Sequence, residues 1–162
     1  MSATSKTPDS QPLKPRIVTE AAADAVRPFG LDMKVLLATE DTGGAFSAVV
    51  CVHQPGEGPP PHFHTEQDEY FYVLEGTYEM IVGGETSRAG PGTMVFLPRG
   101  TVHSFKTVSD GPARMLDWSL PGGQDRYFRE IDELGRGGSG FDDSMMARVA
   151  EANQRHDTHF AK

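Results

Sequence analysis

A chain of 162 residues has room for one domain with a full core, but not comfortably for two. Its formal net charge of −8 argues against nucleic acid or an anionic membrane as partner, since either selects a basic surface. One cysteine, Cys51, leaves no internal disulfide and suits a reducing compartment; with no apolar leader and no apolar run of about 18 residues, the expectation is a soluble cytoplasmic protein.

Residues 1–15 are rich in Ser, Thr, Pro and Lys and have little to bury, which predicts a flexible tail. Residues 17–25 suit a short strand or a helical turn, broken by Pro28 and Gly30. Residues 33–39 and 45–53 carry strand patterns, and the turn-rich residues 40–44 between them predict a hairpin. Residues 70–74 and 77–82 are expected to form another hairpin through Glu75 and Gly76, with a further turn at Gly83 and Gly84. A turn at 88–92, a strand at 94–97, a tight turn at 98–100 and strands at 102–108 and 113–120 complete the β series. Short strands punctuated by Gly and Pro predict an all-β sandwich or barrel over 16–120.

The period changes after Pro121. Tyr127, Phe128, Ile131 and Leu134 recur at helical spacing, predicting a helix over 124–134 with its acidic and basic residues on a solvated face. A loop at 136–140 and a second helix over 142–153, opened by Asp142 or Asp143, fill out a helical extension over 121–162. His156 and His159 then fall in an end expected to fray in solvent.

Two stretches carry the chemistry. In the first, His62 and His64 stand two apart, so an extended strand turns both imidazoles to one face, and Glu69 follows just before an apolar strand. In the second, glycine, apolar strand and turn again lead to a histidine, His103. Three imidazoles and a carboxylate form a donor set for one divalent transition metal, with Fe, Mn, Co, Ni, Cu and Zn all acceptable. Four protein ligands on a six-coordinate ion leave two positions open, a catalytic arrangement; the competing reading is a fold whose histidines make only hydrogen bonds.

Alternation from Glu69 puts Phe71 and Val73 on the carboxylate's face, and parity from His103 turns Phe105 inward. These apolar walls suit a flat, largely apolar small molecule, with ordinary barrel core as the alternative for each residue. Met80, Met94 and Trp118 are weaker candidates for the same wall, while Tyr70 and Tyr72 should point away, for packing or dimerisation. His53 either lines the pocket mouth or, the preferred reading, caps a strand, and Cys51 reads as inert core.

The paired stretches resemble the two signatures of the cupin superfamily, especially small single-domain cupins similar to quercetin 2,3-dioxygenase. Gly56, His62, His64, Glu69 and Gly76 fit the first pattern; Gly92, Pro98, Gly100 and His103 fit the second, with Thr107 where Asn is usual. The resemblance implies a jelly-roll barrel with one or two C-terminal helices, and a homodimer. It also implies His62, His64, Glu69 and His103 as metal ligands, with Glu69 doubling as a catalytic base. By activity it implies a metal-dependent dioxygenase cleaving a flavonol or related aromatic hydroxy-ketone. The alternatives are an oxygen-independent polyketide cyclase or isomerase, and a non-catalytic binder.

Overall fold

The computed structural model describes residues 12–136 and 142–161. Residues 1–11 of the expected tail and residues 137–140 of the expected loop lie outside them. Ten strands run from β1 (Asp24–Val26) through β2 (Asp32–Leu37), β3 (Ser47–His53), β4 (His62–Phe63), β5 (Asp68–Glu75), β6 (Tyr78–Val82), β7 (Glu85–Ala89), β8 (Met94–Leu97) and β9 (His103–Thr107) to β10 (Ala113–Leu120). Helices α1 (Gln124–Arg136) and α2 (Asp143–Arg155) follow, then a last strand β11 (His159–Phe160). No helix among the described residues is long and apolar enough to cross a membrane.

The strands form two antiparallel sheets, ordered β1-β2-β3-β10-β5-β8 and β11-β4-β9-β6-β7. This is the jelly roll that the resemblance implied, and it falls within the all-β sandwich or barrel that the strand punctuation predicted. Along β10, residues of one parity, Ala113, Met115, Asp117 and Ser119, are buried, while Arg114, Leu116 and Trp118 are only partly so. That alternation is what a sheet with one face on a core requires. The interior is filled by Val49, Cys51, Phe71, Val73, Tyr78, Met80 and Met115.

Three local expectations change. The hairpin between 70–74 and 77–82 does not form: β5 pairs with β10 and β8, whereas β6 pairs with β7 and β9 in the other sheet. At Gly76 the chain crosses between sheets with φ of 73°, and a Cβ built there would lie 2.8 Å from Ala113 Cα. The turn expected at 88–92 is shortened, because Glu85–Ala89 pairs with β6 as β7. The connection at 40–44 tightens into a 3₁₀ turn, Thr39–Thr42, for a reason that comes from much later in the chain. Asp125, at the start of α1, accepts from the Thr39 backbone N–H at 3.2 Å and from the Thr39 hydroxyl.

Asp125 is thus buried, as is Asp132, rather than lying on a solvated helix face. Helix α1 nonetheless buries Tyr127, Phe128, Ile131 and Leu134, as its period dictates. Asp142 caps α2 by accepting from the Met145 N–H at 2.8 Å.

The crossing at Gly76 generates a test. Gly76→Ala meets both a left-handed φ and the Ala113 backbone, so urea unfolding of the full chain should show a loss of about 2–4 kcal/mol. Gly84→Ala also has positive φ but open space around it, so it should lose only about 1 kcal/mol.

Candidate metal centre and its cavity

The four candidate ligands come from both sheets and meet between them. His62 and His103 lie directly opposite one another in the β4–β9 pairing, His64 follows β4 by one residue, and Glu69 enters from β5 in the facing sheet. All four are buried, and one ligand atom from each lies within 4.8 Å of every other.

Hydrogen bonding fixes how the rings present themselves. Nδ1 of His62 lies 3.0 Å from the Pro60 carbonyl oxygen, that of His64 2.7 Å from the Asp157 carbonyl, and that of His103 2.9 Å from the Thr101 carbonyl. A carbonyl only accepts, so in each neutral ring the proton sits on Nδ1 and Nε2 offers a lone pair. Glu69 Oε2 approaches Nε2 of His103 at 2.9 Å and of His64 at 3.3 Å. Yet neither nitrogen nor that oxygen has a partner of hydrogen-bond geometry. Electron-rich atoms gathered in a buried site repel unless a cation joins them, so the residues fit a divalent metal.

The titration tendencies agree with an anionic carboxylate. Burial alone would raise the Glu69 pKa, but His103 and His64 outweigh it and hold Glu69 well below the usual carboxylate range. Burial likewise opposes charge on His64, but Glu69 prevails and raises its pKa. His62 is pushed down to about 4, chiefly by burial, and is therefore neutral at pH 7.

The centre opens onto a cavity of about 620 Å³. Phe71 and Phe105 are on its wall, as alternation predicts. Val73, expected beside them, is a correction: it shares their inward face, but it is fully buried in the barrel core and outside the cavity lining. Met80 is core too, whereas Met94 and Trp118 face outward, Trp118 stacking on Tyr70 with centroids 5.3 Å apart. His53 does not cap a strand. It is buried on the cavity wall with Nδ1 3.1 Å from the Tyr78 hydroxyl, and burial pushes its pKa down to about 4.

Several functional groups escaped the sequence reading. Gln124, at the start of α1, donates through Nε2 to Glu69 Oε1 at 2.5 Å and to Asp117 Oδ2 at 3.2 Å. Asp117 lies across from Phe71 on the inward face of β10, and its Oδ1 is buried without a partner. Burial, reinforced by the neighbouring Glu69 charge, drives its carboxyl well above the usual range. A signal for Asp117 existed: alternation through Met115 and Ser119 put a carboxylate on the core side of an apolar strand, which needs a reason. Gln124 and the remaining helical wall, including Tyr127, Phe128, Val149 and Asn153, had no such signal. Nor is the C-terminus a solvated, fraying end: His156 Nε2 lies 2.7 Å from Glu130 Oε2, and His159 pairs with Phe63 through β11.

Ligand removal checks this geometry. His103→Ala should weaken zinc or cobalt binding by at least about 100-fold, read by chelator competition, while circular dichroism still reports a folded barrel. Full metal retention in that variant would remove His103 from the donor set.

Comparison with known proteins gives concordant likenesses. The cupin-domain family, Cupin_2, matches residues 49–119. Polyketide synthase CurC of Streptomyces cyaneus is 36% identical over 108 residues, spanning 64% of this chain and 68% of that protein. Quercetin 2,3-dioxygenase of Bacillus subtilis strain 168 is 29% identical over 100 residues, which is 62% of this chain but only 29% of the dioxygenase. Among solved structures, the polyketide cyclase RemF of Streptomyces resistomycificus superposes with a TM-score of 0.56 at 28% identity, covering 66% of this chain and 80% of RemF. Since the matched span holds all four converging side chains, and the likeness to CurC takes in most of both proteins, the chain belongs to the cupin family.

Proposed function

We propose that this cupin is a metal-dependent cyclase that folds a flexible, carbonyl-rich aromatic precursor of the polyketide type into a ring without using dioxygen. The observation that carries the reading is the cavity itself: about 620 Å³, with a largely apolar wall, and His62, His64 and Glu69 among the residues that line it. Such a space suits a drug-sized ring system held by few directional contacts. The likenesses to CurC and RemF support the same chemistry.

A divalent metal held by His62, His64, Glu69 and His103 would supply Lewis-acid polarisation of a substrate carbonyl. The chain's own residues do the rest. Phe71 and Phe105, edge to face with centroids 5.5 Å apart, give the precursor a rigid apolar wall and keep bulk water from its reactive carbons. Glu69 is the general base for a proton beside a carbonyl; its Oε1, held by Gln124, is turned away from the imidazoles. Asp117 Oδ1, buried and unpaired, is the contact for an enol or phenol hydroxyl of the bound molecule.

A second reading has its own support. The likeness to quercetin 2,3-dioxygenase keeps flavonol cleavage with dioxygen in play, with Glu69 again as base. The two separate in one experiment. Protein loaded in turn with Zn, Fe, Co and Ni is given a linear poly-β-ketone under argon and, separately, a flavonol in air. Cyclised product under argon, including with zinc, is the expected result. Oxygen uptake tracking flavonol loss, with no anaerobic product, would replace the cyclase reading by the dioxygenase one.

Two variants probe the roles. Glu69→Gln should cut turnover more than metal content, measured by kcat alongside metal analysis. Asp117→Asn, isosteric, should keep the metal and lower kcat/KM by about 2–10-fold, the loss expected for one hydrogen bond between neutral groups.

A further inference from the structure

The three candidate histidine ligands are not held in the same way. His62 and His103 each bond the carbonyl two residues earlier, Pro60 and Thr101, so each is oriented by the chain that carries it. His64 takes its carbonyl from Asp157, 93 residues away in sequence, at the shortest of the three distances, 2.7 Å. Asp157 also has φ of 53°, a left-handed conformation that a non-glycine residue adopts at a cost and keeps only when its surroundings hold it there.

Its side chain does that holding. Asp157 Oδ1 accepts from the Thr65 N–H at 2.9 Å and the Thr65 hydroxyl at 2.5 Å, while Oδ2 accepts from the Glu66 N–H at 2.6 Å. These are the two residues immediately after His64. His159 Nε2 adds a contact to Oδ1 at 3.0 Å, and beyond it β11 pairs with β4 and the Ala161 N–H donates to the Pro61 carbonyl at 2.9 Å. One aspartate therefore grips His64 from the carbonyl side and the following loop from the carboxylate side.

We infer that Asp157 is a positioning residue for the metal centre: its carbonyl selects the His64 tautomer that presents Nε2, and its carboxylate fixes where that carbonyl stands. This rests on His64 being a metal ligand, as read above. It makes the C-terminal turn part of the site, and it links the α2 wall of the cavity to ligand geometry through two residues, His156 and Asp157.

The test uses full-length variants. Asp157→Gly tolerates the positive φ but loses the carboxylate; Asp157→Asn keeps one acceptor oxygen and serves as the conservative rescue. Glu130→Gln, which removes the negative charge facing His156 and Arg155 without touching His64, is the control. Zinc affinity by chelator competition should fall about 10–100-fold in Asp157→Gly, less in Asp157→Asn, and stay within about twofold in Glu130→Gln. Nitrogen NMR of the metal-free protein, at a pH where the ring is neutral, should show His64 wholly in its Nδ1–H form in the parent and as a tautomer mixture in Asp157→Gly. Unchanged zinc affinity together with an unchanged tautomer in Asp157→Gly overturns the inference; should that variant not fold, Asp157→Asn decides by the same two readouts. If the parent binds no zinc, the metal reading fails, and the tautomer comparison alone still decides the role of Asp157.

Discussion

In their neutral form the three imidazoles each spend their one N–H on a backbone carbonyl, which leaves three lone pairs gathered where Glu69 brings an oxygen. Much of the barrel's design follows from that constraint. Electron-rich atoms stay together in a buried site only if the scaffold is stiff, and two facing sheets provide the stiffness, one supplying the imidazoles and the other the carboxylate. The pairing of His62 opposite His103 turns a sequence separation of 41 residues into adjacent rings, with centroids 4.2 Å apart.

The helices complete what the barrel leaves open. Helix α1 is fastened at its start by Asp125 to Thr39 and along its length by an apolar face, and this fixes Gln124 against Glu69. Helix α2 is tied to α1 by the Tyr127 hydroxyl, which donates to Asn153 Oδ1 at 2.9 Å. The outcome is a division of labour: strands hold the reactive end, and helices shape the space above it. A family scaffold fixes the first far more than the second, so the substrate has to be argued from the cavity rather than from the fold.

Three of the candidate ligands, His62, His64 and Glu69, were legible because their spacing is local. A histidine pair two apart in a strand shares a face in any sheet, and the glycines and prolines around it mark where the strands begin. Phe71 and Phe105 were readable by the same parity, since their strands face the cavity at those positions. The parity argument failed at Val73 for a simple reason: alternation tells which side of a sheet a residue takes, but not how deep the cavity runs. Turn chemistry misled between β5 and β6, where a glycine that reads as a hairpin turn instead carries the chain to the opposite sheet.

The sequence by itself determined the β class, the two C-terminal helices and the candidate donors His62, His64 and Glu69, because each of these is written in short-range periodicity or spacing; His103 came from a second motif, through the family resemblance. Only the tertiary structure decided that Gln124 reaches Glu69 and that Asp157 holds His64. These contacts join residues tens of positions apart through the packing of helices on a barrel. No local pattern encodes them; they exist only once apolar faces of the helices and sheets have been buried against each other.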